Sequence, residues 1–98
     1  MPRRARPPLP GEVLLRRFLQ PRDITQTALA KHIDEHLPNL NMLILGKRRI
    51  TPRNAWLLGW ALGTRPEYWL ELQNQHDLWR SRPARPVGRI KRGSGARP

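Results

Sequence analysis

Between Gly11 and Trp79 apolar residues return every three or four positions, and proline or glycine interrupts them at Pro21, Pro38, Gly46, Pro52, Gly63 and Pro66. That period belongs to helices with one buried face, and no stretch alternates as a half-buried strand does. The pattern therefore predicts an all-α fold of five short helices. With 98 residues, 38% of them apolar, the chain supports one modest core and excludes a large catalytic domain with its own substrate domain. Cysteine is absent, which removes disulfides, thiolate metal sites and thiol nucleophiles and fits a reducing, cytoplasmic setting. No apolar run approaches the ~18 residues of a membrane span. The basic start runs into prolines instead of an apolar stretch, so no signal peptide is read.

The first helix is expected over Gly11–Leu19, with Val13, Leu14, Leu15, Phe18 and Leu19 inward, and Pro21 stops it. Thr25 caps a second, which turns Leu29, Ala30 and Ile33 to the core. The third runs from Leu37 to Leu45. Leu37, Leu40, Leu43 and Ile44 fall on its inner arc; Pro38, Asn41, Met42 and Leu45 fall on the outer one. Thr51-Pro52 opens the fourth, and Gly63 ends it in the left-handed conformation. Thr64 and Glu67 have the spacing of a capping box for the fifth, which continues to about Trp79. Trp69, Leu72, His76 and Trp79 share one of its faces. The four tryptophans are expected to supply much of the buried area, some of it against a second copy.

A formal charge of +12 suggests a polyanion partner. The excess is uneven, however. Residues 11–79 hold nine basic and all seven acidic side chains; residues 1–10 and 80–98 hold the other ten cations and seven of the eleven prolines. Segments so poor in apolar residues cannot offset their ordering entropy. The expected organisation is a disordered basic, proline-rich arm over 1–8, a helical domain over 9–80 and a disordered basic tail over 81–98. Tails of this kind add salt-sensitive, sequence-blind affinity for any polyanion.

Evidence for catalysis is lacking. His32-Ile33-Asp34-Glu35-His36 fits the H-x-x-E-H zinc-hydrolase pattern, but the helix is expected to end near Asp34, which separates the two imidazoles. Ser81 and Ser94 lie in the tail, and His76 sits on an apolar stripe. No glycine cluster cradles a phosphate. The chain is read as no enzyme, with no metal and no cofactor. Lys47, Arg48 and Arg49, with Arg53, precede and open a helix, where backbone N–H groups could join four cations on a phosphate run. The same cluster also reads as a solvated basic loop, and spacing alone does not separate the two.

In order along the chain stand Pro10-Gly11-Glu12-Val13-Leu14, Thr25-Gln26-Thr27-Ala28-Leu29-Ala30-Lys31, Gly46-Lys47-Arg48-Arg49-Ile50-Thr51-Pro52 and Ala61-Leu62-Gly63-Thr64. Pro66-Glu67-Tyr68-Trp69-Leu70-Glu71-Leu72-Gln73 follows. Together these resemble the HigA/VapI-type antitoxins, within the Xre/Cro-like helix-turn-helix repressors, over residues 9–80. The resemblance implies a five-helix lambda-repressor-like (Cro/C1-type) helix-turn-helix domain. It further implies a homodimer that binds double-stranded operator DNA, represses its own operon and neutralises a RelE-like ribonuclease toxin, HigB. By the same likeness Gln26, Lys47, Arg48, Arg49 and Arg53 contact phosphates. His36, Asn39, Asn41 and Met42 face the bases, and Trp69, Leu72, His76 and Trp79 form the dimer interface.

The chain departs from that pattern in three places. Asp34 stands where the turn usually has glycine, Glu35 where the next residue is usually apolar, and Leu45 where a polar residue usually precedes Gly46. No arginine lies on the groove face, although Asn41 matches an Asn common there. A second reading follows: a free-standing regulator, or a protein-interaction module that has lost sequence-specific DNA binding and offers Pro38, Met42 and Leu45 to a partner.

Overall fold

The computed structural model describes residues 5–95. Helix α1 begins at Pro10–Val13 and continues without a break as a π-helical segment, Leu14–Leu19. Helices α2 (Gln26–His32), α3 (Leu37–Ile44), α4 (Pro52–Leu62) and α5 (Pro66–Ser81) follow, and no strand occurs among the described residues. The π segment departs from the regular helix expected there. Gln20 donates to the Leu15 carbonyl at 2.9 Å and Ile24 to that of Leu19 at 2.9 Å, both five residues back. That wider spacing lets Leu14 and Leu19, five apart, both enter the core.

Helix α4 packs on α5, α2 on α3, and α1 on both α3 and α5. Val13, Leu14, Leu19, Leu29, Ala30, Ile33, Leu40, Leu43, Ile44, Ile50, Ala55, Leu58, Leu62 and Trp69 form the core. Thr25 caps α2 as expected, its hydroxyl accepting from the Ala28 N–H at 3.0 Å. Asp34 takes φ 54° at the helix-turn-helix corner, and Gly63 closes α4 at φ 77°.

Three expectations are corrected. Leu37, assigned to the inner arc, is 39% exposed, because it is the first residue of α3, at the edge of the packed part of the helix. Of the four tryptophans only Trp69 is buried, at 0% exposure. The capping box at α5 does not form: Pro66 at the first helical position makes Arg65 the cap, and no side chain bonds there. The Thr64 hydroxyl instead accepts from the Trp69 indole N–H at 2.7 Å. The true box lies at α4, where Thr51 and Asn54 cap each other.

The termini differ from each other. Arg6 pairs with Glu12 at 2.8 Å, and the Pro7 carbonyl lies 3.2 Å from His76 Nδ1, so this part of the basic arm is packed on the domain. Residues 82–95 carry no helix or strand and are exposed throughout. Arg3 and Arg4 of the arm, and Arg97 of the tail, lie outside the described residues. No helix among the described residues is long and apolar enough to cross a membrane.

Candidate nucleic-acid interface

Helix α3 exists because its inner residues Leu40, Leu43 and Ile44 are buried against α2 and α1. Its other face is left outside, with Pro38, Met42 and Leu45 exposed and Asn41 half-buried. Asn41 donates to the Gln26 side-chain oxygen at 3.2 Å. The proposed base reader and phosphate contact are thus one hydrogen-bonded pair across the two helices, which limits the rotamers of both. His36 is the exposed N-cap of α3.

Asn39 is held differently. Its amide donates to Glu35 at 3.3 Å, and the same carboxylate accepts the His36 N–H at 3.0 Å and the Asn54 amide at 3.5 Å. Glu35 therefore ties the helix-turn-helix corner to the start of α4. Burial pushes its carboxyl up, but the His36 N–H, the Asn39 amide and the positive charges of Arg48 and Arg53 outweigh that and hold it below the usual carboxylate range. The sequence reading sends Asn39 to the bases; in this structure its amide is engaged by Glu35.

The basic loop runs directly off the end of α3. Gly46 at φ 78° turns the chain, and Lys47 donates back to the Met42 carbonyl at 2.8 Å. Lys47, Arg48, Arg49 and Arg53 are all exposed. Arg49 pairs with Asp77 of α5 at 2.6 Å. Asp77 in turn accepts from the Gln73 amide at 3.1 Å, and Gln73, buried, accepts the Ile50 N–H at 3.1 Å. Helix α5 thus fixes both ends of the loop's second half. The N-terminus of α4 offers less to a phosphate than expected: Pro52 has no N–H, and that of Asn54 is taken by Thr51.

The residues expected at a dimer interface do not form one surface. Trp69 is enclosed by its own chain, with the rings of Phe18 and Tyr68 at 5.2 and 5.1 Å, and so has no area left for a partner. His76 is buried against Pro7 and Trp79. Only Leu72, half-buried, and Trp79 keep exposed surface. Sequence reasoning missed the organising roles of Glu35, Asn54, Gln73 and Asp77. The Gln73–Asp77 spacing of one helical turn was visible, but the strand of loop it grips was not.

Residues 15–69 match the family model described as Helix-turn-helix (HTH_3). Antitoxin HigA-1 of Vibrio cholerae is 42% identical over 77 residues, which cover 79% of this chain and 72% of that protein. The HTH-type transcriptional regulator YbaQ of Escherichia coli is 32% identical over 90 residues, 88% of this chain and 80% of that protein. Among solved structures, the Pseudomonas aeruginosa antitoxin HigA with the higBA promoter is similar at a TM-score of 0.74 and 33% identity. That match covers 78% of this chain and 83% of the other.

Proposed function

The chain belongs to the helix-turn-helix family that includes the HigA antitoxins, and we propose that it is a DNA-binding antitoxin that represses its own operon. It is a regulator and not an enzyme. One observation carries the reading: the outer face of α3 and the cations of the loop that follows it are both exposed, on a fold that in P. aeruginosa HigA was solved with promoter DNA.

In this proposal a two-fold dimer sets two α3 helices in successive major grooves, roughly 34 Å apart. Gln26, Lys47 and Arg48 bind phosphates, joined by Arg49 when it leaves Asp77 and by Arg53 at the edge. Asn41 reads a base edge, with His36 beside it, and Met42 meets thymine methyls. Asn39 acts through Glu35 by holding the corner. The protein partner is a RelE-like toxin of the HigB type, and the place of action is the cytoplasm.

The test is a fluorescence-anisotropy titration of the full chain with its own upstream duplex and a scrambled duplex, at two salt concentrations. A preference of about 10³ or more for the upstream duplex is expected of a specific reader. Equal binding to both overturns the repressor reading and leaves a protein-interaction module. The toxin half is tested by co-expression with a RelE-like toxin of the HigB type, where growth arrest that this chain does not relieve counts against it.

A further inference from the structure

Where the start of α1, the end of α3, the basic loop and α5 meet, the fold leaves a cavity of about 230 Å³. Lys47, Arg48, Arg49 and Arg80 line it against a single carboxylate, Asp77. Both oxygens of that carboxylate are engaged, one by Arg49 at 2.6 Å and the other by the Gln73 amide at 3.1 Å. Lys47, Arg48 and Arg80 form no ion pair among the described residues. Three like charges around one hollow repel each other, and an anion set between them converts that repulsion into attraction.

We propose that this cavity is a binding site for the diphosphate group of a small molecule, and that its occupant draws the loop cations away from DNA. The effect on DNA rests on the operator-binding reading; the site itself does not. Charge selects the ligand class. A single phosphate group carries about −1.5 to −2 at pH 7, so two linked phosphates are needed to balance three unpaired cations. Guanidinium suits such a ligand, because its planar fork meets phosphate oxygens two at a time. Volume agrees: a water claims about 30 Å³, and the cavity holds several times that, enough for a diphosphate.

The wall on the α5 side sets this site apart from the DNA-facing surface. Gln73 and His76 are both buried there. His76 Nδ1 meets the Pro7 carbonyl at 3.2 Å, and its Nε2 has no protein partner among the described residues. An imidazole that takes a proton at that nitrogen gains a second donor for an anion. A phosphodiester of duplex DNA bears one charge and is tied to a wide rod, so it meets the loop from outside; a free diphosphate can enter as far as α5. The wall is also set before any ligand arrives, since Arg49–Asp77 and Gln73–Ile50 hold the loop against α5.

The experiment uses the full chain, inorganic pyrophosphate as the probe and magnesium-free buffer at physiological salt. Calorimetric titration is expected to show saturable one-to-one binding in the micromolar range. Arg80→Gln, an exposed change on α5, should weaken it by about 10-fold or more, the loss of one charged hydrogen bond. Arg17→Gln removes the same charge outside the cavity and should change it by less than about 2-fold, because salt screens distant exposed charges. In NMR of the histidine rings, pyrophosphate should shift His76, while His32 and His36, exposed and outside the cavity, stay in place. Absent binding, equal effects of the two arginine variants, or a shift at His36 in place of His76 would each overturn the site. Saturating pyrophosphate should also weaken binding of the upstream duplex by about 5-fold or more, relative to chloride at equal ionic strength. Unchanged duplex affinity would overturn the effect on DNA. The two readings fail separately: pyrophosphate binding without operator preference sinks the repressor reading alone, and operator preference in a chain that ignores pyrophosphate sinks this one alone.

Discussion

Gly11 shows how one residue can decide the packing of two helices. A Cβ added there would strike the Leu43 carbonyl and come within 2.6 Å of the Ile44 Cα. Both are backbone of α3, which cannot rotate aside, so α1 reaches α3 only through a bare Cα. Helix propensity alone would favour alanine by about 1 kcal/mol. The clash dominates, and Gly11→Ala is expected to destabilise by about 3 kcal/mol or more in urea unfolding. An unchanged midpoint would show that α1 does not sit this close. Trp69 and Thr64 form a second such pair. The indole is wholly buried and its N–H donates to the Thr64 hydroxyl. Thr64→Val should cost about 1–3 kcal/mol by stranding that donor, while Thr64→Ser should cost much less. If valine and serine behave alike, the hydrogen bond is not what matters at Thr64. The sequence identified Thr64 as special but named the wrong partner, since a helix cap and an indole acceptor need the same residue type.

Among elements, the α3–α4 loop and α5 act as one unit through Arg49, Asp77, Gln73 and Ile50. The Arg49 guanidinium holds the Asp77 carboxyl below its ordinary range; burial works against this and the Gln73 amide adds to it. A depressed folded pKa stabilises fully above the ordinary carboxylate value of about 3.9, and that contribution is lost as pH falls through the lowered folded value. Asp77→Asn should therefore flatten the acid end of the stability–pH curve; a curve that keeps its full acid slope would assign it to other carboxylates. At neutral pH the same variant frees Arg49 for phosphate. DNA binding should tighten, and the salt slope should steepen by about one contact. Weaker binding would instead mean that Asp77 orients Arg49 for its task.

At the scale of the whole molecule, the proposed function puts most of the excess charge and the base readout in different parts of the chain. Residues 82–98 hold six cations and no acidic residue. Ending the chain at Ser81, where α5 ends, should lower affinity for scrambled and upstream duplexes by similar factors and shrink the salt slope. The preference between the two duplexes should survive. A preference lost with the tail would place base readout, or the ordering it requires, outside the helical domain.

Helix number and order, the inward face of α2 and the left-handed stop at Gly63 were all legible in the linear chain, because each follows from spacing within a few residues. The likeness carried by the Gly46–Pro52 segment and its companions marked α3 and the basic loop as the candidate DNA-facing elements in the same way. Three matters depended on residues far apart in sequence. Burial chose Trp69 among four tryptophans because Phe18, Tyr68 and Thr64 converge on it. The departure at Glu35 became a staple because Asn54 arrives from the next helix. Trp56 and Trp60 stayed exposed because the residues of α4 taken into the core are Ala55, Leu58 and Leu62. Local periodicity sets which face of a helix is apolar; only the packed fold determines which apolar face finds a neighbour within its own chain.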